Sequence, residues 1–241
     1  MEMELPASGF VLAGGRSSRM GADKAMLRFD GTPLVQIALD KLRFGCRRVA
    51  ILGNRPELGD FGMVLPDGLT EAGPLAGIAT ALRRVNEEET ARDWVMLMPV
   101  DVPAVPGTFL MAWAWQVARD PTAPAAGCFR VEGRVQPLVS MLHRELLPYV
   151  AAAVDAGERK VLAVLEAAAA QTAADGLGTR RSGLRVDEPK ETFWRGFWRP
   201  SELERATEPL WFANVNTPEE FARVEHEFAE AKKSLERTGK E

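Results

Sequence analysis

Short apolar runs alternate with segments of helical spacing along the first half of the chain. The runs are SGFVLAGG, RRVAILGN, GMVLP and DWVMLMPVD, and between them TPLVQIALDKLRFG and GPLAGIATALRRV repeat apolar residues at helical intervals. Runs that are apolar almost throughout are typical of parallel strands covered by helices on both faces. The alternation therefore predicts an α/β fold of three layers, Rossmann-like, with a mostly parallel central sheet.

Candidate ligand-binding residues stand where these predicted strands end. In sheets of this kind, ligands bind at the carboxyl ends of the strands. The residues that we expect at this edge are Gly14, Gly15, Asn54, Asp67 and Asp101. Because they share one edge, the sequence predicts a single binding site.

The second half of the chain has a different pattern. AAGCFRVEGRVQPLVSML predicts two strands around Gly133, and HRELLPYVAAAVDAG, RKVLAVLEAAAAQ and the segment after Thr217 predict helices. From about 172 to 209 the pattern gives way to glycine, charge and FWRGFWRP, which predicts an irregular insertion. Its aromatic rings could pack on the domain as a lid or contact a ligand. We predict a single domain over residues 1–241.

Composition excludes several classes of partner. The chain has 241 residues and a formal net charge of −4, so we expect no nucleic-acid partner. No apolar stretch has the length of a membrane span, and the acidic start MEMELP is unlike a signal peptide. We therefore expect no membrane partner and a cytoplasmic location. Two distant cysteines predict neither a disulfide framework nor a four-ligand zinc site.

A glycine pair opens the segment LAGGRSSRMGADKAML, directly after the first apolar run. Backbone N–H groups near Gly14 and Gly15 can hold phosphates, and Arg19 and Lys24 can offset the phosphate charge. A P-loop needs its lysine directly after the last glycine, whereas Lys24 stands three residues past Gly21. The spacing also differs from a dinucleotide fingerprint, and kinase motifs are absent. The alternative interpretation is a tight turn beside a solvated Arg19.

Six motifs occur in the order typical of the molybdenum cofactor guanylyltransferases: LAGGRSSRMGADKAML, LPDGLTEAGPLAGI, MPVDVP, VQPLVSM, AGERKV and FANVNTPEE. The chain resembles this family of nucleotidyltransferases over nearly its whole length. It departs from the family pattern at Val100, where many relatives carry cysteine, and at the insertion. The resemblance implies a nucleotidyltransferase fold, and transfer of GMP from GTP to the phosphate of molybdopterin with release of pyrophosphate. It also implies Mg²⁺ as the cofactor.

The resemblance assigns roles to residues of the predicted site. It places Lys24 on the triphosphate, with Leu12, Ala13 and Gly14 beside the base and ribose. The charge of Arg19 supports the same role on the triphosphate. The resemblance also places Asp67 on the guanine nucleotide or its ribose, and together with the residues at the strand ends the predicted nucleotide-binding set is Leu12, Ala13, Gly14, Gly15, Lys24, Asn54, Asp67 and Asp101. For Asp67 and Asn54, turn formation is the alternative interpretation.

Residue chemistry favours Asp101 as a magnesium ligand. A carboxylate at the end of an apolar strand needs a partner that compensates for lost water, and Mg²⁺ prefers oxygen ligands. The alternative is that Asp101 caps the following helix. In ANVNTPEE the two asparagines would alternate along a strand, so that only one faces the site. We expect Asn216 to contact the metal or substrate, with Asn214 supporting the acceptor side.

Basic residues in a net acidic protein could bind an anionic acceptor such as molybdopterin. The candidates are Arg134, Arg159 and Lys160, of which the last two lie in AGERKV. Ordinary solvation at the surface is the alternative for each of them. The product could pass to molybdoenzymes or their delivery proteins.

Other functions remain open on the sequence alone. Within the same fold, the chain could be a cytidylyltransferase acting on molybdopterin or a sugar-phosphate nucleotidyltransferase. In a different class, a nucleotide-binding chaperone that delivers the cofactor would keep the glycine loop but would not require Asp101. Lys24, Asp67, Asp101 and Asn216 are all present, which favours an active enzyme.

Overall fold

The predicted strands and helices form, with one exception described below, close to the expected positions. The computed structural model describes residues 5–14, 23–67, 73–88, 93–176, 180–189 and 198–238. The elements are, in chain order, β1 (Ala7–Leu12), β2 (Arg28–Phe29), β3 (Thr32–Pro33), α1 (Leu34–Arg43), β4 (Val49–Leu52), β5 (Met63–Leu65), α2 (Pro74–Glu87), β6 (Trp94–Pro99), α3 (Gly107–Arg119), β7 (Ala126–Val131), β8 (Arg134–His143), α4 (Leu147–Asp155), α5 (Val161–Ala174), β9 (Leu184–Asp187), α6 (Glu202–Ala206) and α7 (Pro218–Thr238).

One seven-stranded sheet, in the order β5-β4-β1-β6-β8-β7-β9, forms the middle layer. Strands β5, β4, β1 and β6 run parallel to their neighbours, and β9 runs parallel to β7. Strand β8 alone runs antiparallel, to both β6 and β7. The mostly parallel α/β fold predicted from the sequence is confirmed. The carboxyl ends of β1, β4, β5 and β6 therefore lie along one edge, here called the site edge.

Helices cover both faces of the sheet. Because successive residues of a strand point to opposite faces, Val11 of β1 packs with α1 and α3, whereas Phe10 packs with α2, α4 and α5. The burial of both faces explains why these strands are apolar almost throughout. Within the described residues, no helix is both long and apolar enough to cross a membrane.

The segment predicted to be an irregular insertion contains regular elements where the structure describes it. Strand β9 adds to the edge of the sheet beside β7. Helix α6 begins with a capping box, in which the Ser201 hydroxyl accepts from the Glu204 N–H and the Glu204 carboxylate accepts from the Ser201 N–H. Trp198 packs edge-on against Trp211, with 5.8 Å between ring centroids. Trp194 and its neighbours in 190–197 lie outside the described residues, and the single-domain division stays a prediction.

Candidate active site

The ammonium of Lys24 connects three distant parts of the chain. Its Nζ lies 2.6 Å from Oδ1 of Asn216 and 3.4 Å from Oδ2 of Asp101. Lys24 opens a short 3₁₀ turn, Lys24–Met26, which the Asp23 carboxylate caps by accepting from the Ala25 N–H at 3.1 Å. The cap fixes the backbone from which the lysine extends. The Lys24 and Asp101 side chains retain only 13% and 20% of their exposure, so their attraction is incompletely screened by water.

Asp101 lies two residues past the end of β6, in a loop that two other parts of the chain hold in place. Its carbonyl accepts from the Val215 N–H at 3.0 Å. The Lys41 ammonium of α1 donates to the carbonyls of Val102, at 3.4 Å, and of Pro103. Burial lowers the pKa of Lys41 to about 7. These bonds fix the loop without using the Asp101 carboxylate.

The Asp101 carboxylate does not cap the helix that follows it. Helix α3 begins at Gly107, with Pro106 in the N-cap position. Instead, Oδ1 of Asp101 is buried and has no hydrogen-bond partner among the described residues. A buried carboxylate oxygen of this kind is costly unless a ligand engages it.

Asn216 is positioned by the start of α7. The Glu220 carboxylate accepts from the N–H groups of Asn216, at 2.8 Å, and Thr217, at 3.0 Å, while the Thr217 hydroxyl accepts from the Glu220 N–H. These reciprocal bonds form a capping box at the start of α7. The strand predicted for ANVN is wrong, because the Val215 N–H bonds to the loop after β6 and not to a neighbouring strand. Asn216 is exposed and Asn214 is partly buried.

Asp67 lies where β1, β5 and α2 converge. A methyl group placed on Gly14 would be 3.5 Å from Oδ2 of Asp67, and one placed on Gly77 would be 3.5 Å from Oδ1. Oδ1 is buried without a hydrogen-bond partner in the described part of the chain, and burial raises the pKa of Asp67. A methyl group on Gly53 would approach the Gly14 backbone to 3.1 Å. The glycines therefore bring the backbone after β1 close both to this carboxylate and to the backbone after β4.

The remaining nucleotide candidates occupy the same edge where they are described. Leu12 ends β1, Ala13 follows it, and Asn54 is exposed just past β4. Gly15 and Arg19 lie outside the described residues.

The acceptor candidates approach the site edge from the other half of the sheet. Leu97 of β6 pairs with Ser140 of the antiparallel β8, so the first residues of β8, including Arg134, extend past the carboxyl end of β6. Arg159 and Lys160 precede α5, whose other end contacts the start of α4 through the bond from the Tyr149 hydroxyl to Asp175. Since α4 starts at the opposite edge of the sheet, the amino end of α5 points toward the site edge. Among the described residues, no hydrogen bond or ion pair joins these cations to Lys24 or Asp101.

Comparison with known families decides the class of this site. A model of the MobA-like NTP transferase domain matches residues 9–172, which is more than half of the chain. This chain belongs to the MobA-like NTP transferase family. It is therefore a nucleotidyltransferase, and the resemblance seen in the six motifs is confirmed.

Relatives of this MobA-like NTP transferase support the same assignment. A molybdenum cofactor guanylyltransferase of Serratia proteamaculans is 35% identical over 197 residues, covering 76% of this chain and 95% of the relative. A protein of the same name from Xanthomonas euvesicatoria is 32% identical over 229 residues, covering 94% and 98%. The crystal structure of molybdopterin-guanine dinucleotide biosynthesis protein A from Archaeoglobus fulgidus superposes with a TM-score of 0.66. It is 18% identical and covers 91% of this chain and 97% of that one, which shows a shared fold.

One residue of this site was missed by the sequence reasoning. Arg55, just after Asn54, donates to the Ala13 carbonyl at 3.3 Å and to the carboxylates of Asp23 and Glu57. A basic residue directly after a predicted parallel strand was the available signal, because that position is at the ligand-binding edge.

The chemistry of the donor set fits a magnesium ion. Asp101 offers a buried carboxylate oxygen without a partner in the described structure, and Asn216 offers an amide oxygen within reach of the same ammonium. Mg²⁺ is usually bound by one or two carboxylates together with substrate phosphates and water. The described residues contain no group of three or more His, Cys, Asp or Glu side chains able to hold a metal. A metal here would therefore depend on the nucleotide for further ligands.

Proposed function

We propose that this protein transfers GMP from GTP to the phosphate of molybdopterin and releases pyrophosphate. The observation that carries the proposal is the contact of Lys24 with Asp101 and Asn216, which joins three of the family-like motifs at the site edge. Two relatives that align with this chain over 95% and 98% of their own length are named molybdenum cofactor guanylyltransferases.

The reaction brings two anions together. An oxygen of the molybdopterin phosphate forms a bond to the α-phosphorus of GTP, while the bond from that phosphorus to the bridging oxygen breaks and pyrophosphate leaves. In our proposal Lys24 and Arg19 offset the triphosphate charge, and the backbone N–H groups near Gly14 and Gly15 bind phosphate oxygens. The position of Lys24 supports this role, because its ammonium lies near the Asp101 carboxylate and is exposed enough for a ligand to reach it.

We assign Asp101 and Asn216 to a magnesium ion, which would neutralise charge at the α-phosphate and help pyrophosphate to leave. The bonds from Val215 and Lys41 hold the Asp101 loop in place before any ligand binds. The capping box holds the Asn216 backbone in the same way. Such preorganisation lowers the cost of arranging ligands during the reaction.

Nucleotide recognition is assigned to the convergence around Asp67. Its carboxylate can accept hydrogen bonds from N–H groups of guanine or from the ribose hydroxyls. The unpartnered buried Oδ1 supports this assignment, since a ligand donor there would offset the cost of burial. In our proposal the base lies beside Leu12 and Ala13, next to the closely spaced backbones of Gly14 and Gly53, and Asn54 completes the set.

The acceptor side is assigned to Arg134, Arg159, Lys160 and Asn214. The first three carry charge suited to an anionic acceptor, and the topology directs them toward the site edge. Transfer of the product to molybdoenzymes or delivery proteins, and the cytoplasmic location, stay predictions of the sequence.

The test is to incubate the protein with Mg²⁺, molybdopterin and each nucleoside triphosphate in turn, and to measure pyrophosphate release. We expect release with GTP that requires both molybdopterin and the metal. Release with CTP and not with GTP would overturn the guanylyl assignment in favour of cytidylyl transfer. Release that requires a sugar phosphate as acceptor would identify a sugar-phosphate nucleotidyltransferase. If no combination of triphosphate and acceptor releases pyrophosphate, the result would favour a nucleotide-binding chaperone.

A further inference from the structure

Arg55 contacts both ends of the loop that carries the glycine pair. Nη1 donates to the carbonyl of Ala13, where the loop leaves β1, at 3.3 Å. Nη2 donates to the carboxylate of Asp23, which directly precedes Lys24. These partners are 42 and 32 residues away in sequence, so the contacts are tertiary and not a local turn.

The Ala13 contact fixes the direction of a peptide group. The Ala13 carbonyl and the Gly14 N–H belong to one planar trans peptide, so they point in opposite directions. When Arg55 holds the carbonyl, the Gly14 N–H is directed away from the guanidinium. The bond therefore selects where a phosphate or base must stand to accept from Gly14.

The Asp23 contact acts on the other end of the loop. Oδ2 of Asp23 binds Arg55, while Oδ1 caps the 3₁₀ turn that begins with Lys24. The guanidinium thereby fixes the backbone from which the Lys24 side chain reaches Asp101 and Asn216. The rigid fork of arginine can hold both partners at once, which a lysine ammonium on a flexible stem does less well.

The other hydrogen bonds of Arg55 leave it a supporting role. Nε donates to Glu57, so Nε, Nη1 and Nη2 all have partners within the protein. The side chain keeps 18% of its exposure, which makes these bonds stronger than those of an exposed surface pair. We propose that Arg55 is a positioning residue that ties together the two ends of the nucleotide-binding loop. This inference rests on the proposed function, in which that loop binds the triphosphate.

A double-mutant cycle tests the proposal. Arg55→Lys keeps the charge and loses the fork, and Asp23→Asn keeps the cap for Ala25 while losing its charge. GTP binding is measured directly by calorimetry for both single variants and the double variant, together with the melting temperature and turnover. We expect each single variant to weaken GTP binding about tenfold, as the loss of a charge-assisted bond would. The double variant should bind GTP at least as tightly as the single variant with the lower affinity.

Glu57→Gln is the matched control, because Glu57 binds the same guanidinium but does not belong to the loop. It should leave GTP affinity unchanged. The proposal is overturned if Arg55→Lys binds GTP as tightly as the wild type, or if Glu57→Gln weakens binding equally. It is also overturned if the effects at 55 and 23 add, since Arg55 would then act on the nucleotide directly. If another triphosphate binds in place of GTP, the cycle is measured with that nucleotide, so failure of the guanylyl assignment is distinguishable from failure of this inference.

Discussion

Lys24 contacts both residues that we assign to magnesium, and removing its ammonium should therefore increase metal affinity. Nζ lies 2.6 Å from Asn216 Oδ1, so a divalent ion that binds this oxygen must displace the ammonium. Nζ also lies 3.4 Å from Asp101 Oδ2, so its charge repels a cation bound at Oδ1 of the same carboxylate, which lacks a partner within the described chain. A partly exposed, charge-assisted contact of this kind is worth about 1–2 kcal/mol. Lys24→Met removes that competition, and we expect the variant to bind Mn²⁺ about 5–30 times more tightly than the wild type. Its turnover should fall, because the triphosphate loses a cation.

The assay is a titration of the protein with Mn²⁺, without nucleotide, in which free Mn²⁺ is followed by electron paramagnetic resonance. Lys232→Met is the control: it removes the same charge from an ion pair with Asp30, 2.8 Å long, outside the proposed site. The control should leave Mn²⁺ affinity unchanged, and adding Asp101→Asn to Lys24→Met should abolish the gain. An Mn²⁺ affinity of Lys24→Met equal to or below that of the wild type would refute the reasoning.

Three further predictions concern the packing around the site and the stability of the fold. Asp67→Asn should raise the melting temperature by about 2 °C, because burial disfavours the charged carboxylate that the substitution removes. It should also weaken GTP binding about tenfold, because the nucleotide loses a charged acceptor. Scanning calorimetry of the melting temperature and titration calorimetry of GTP binding check that the two effects have opposite signs. Gly53→Ala should lower the free energy of unfolding by about 1–3 kcal/mol and weaken GTP binding, since φ is +135° and the added methyl would lie 3.1 Å from Gly14. The control is Gly31→Ala, where φ is +80° and the surrounding space is open. In denaturant titrations the control should also lose stability, but its GTP affinity should not change. Burial, with the charges of Arg180 and Arg144, lowers the pKa of His143 to about 3 from 6.5. The unfolded chain therefore binds more protons between these values, so stability falls as the pH falls through that window, and His143→Gln should flatten the slope by up to about 1.4 kcal/mol per pH unit in urea titrations; parallel slopes would contradict the assignment.

Much of the fold could be predicted because burial leaves a periodic record in the sequence. β1 and β6 are buried on both faces and so are apolar almost throughout, while α1 and α2 show helical spacing. Strand β9, LRVD, alternates apolar and polar residues, but four residues in a segment rich in glycine and charge are too few to distinguish an edge strand from a loop. The strand expected at ANVN failed for a related reason: alternation describes the residues but not which partner accepts their N–H groups.

The site was predictable as a set of residues but not as a set of contacts. The residues that follow the strands of a parallel sheet lie together at its carboxyl edge, so Asp67 and Asp101 could be proposed as site residues from their positions in the sequence. The bond of Lys24 to Asn216 spans 192 residues and depends on how α7 packs, which no local pattern encodes. Arg55 was missed because an arginine after a strand is also typical of a solvated surface. Its three hydrogen bonds, which the sequence does not show, distinguish a positioning role from a solvated one.

The most direct test of the account is the effect of Asp101→Asn on turnover compared with its effect on GTP affinity. The substitution keeps the size of the side chain and removes the charge assigned to the metal. We predict that formation of the guanylylated molybdopterin falls about a hundredfold or more, while the dissociation constant for GTP changes less than about threefold. Unchanged turnover, or a loss of affinity as large as the loss of turnover, would contradict the catalytic role of Asp101.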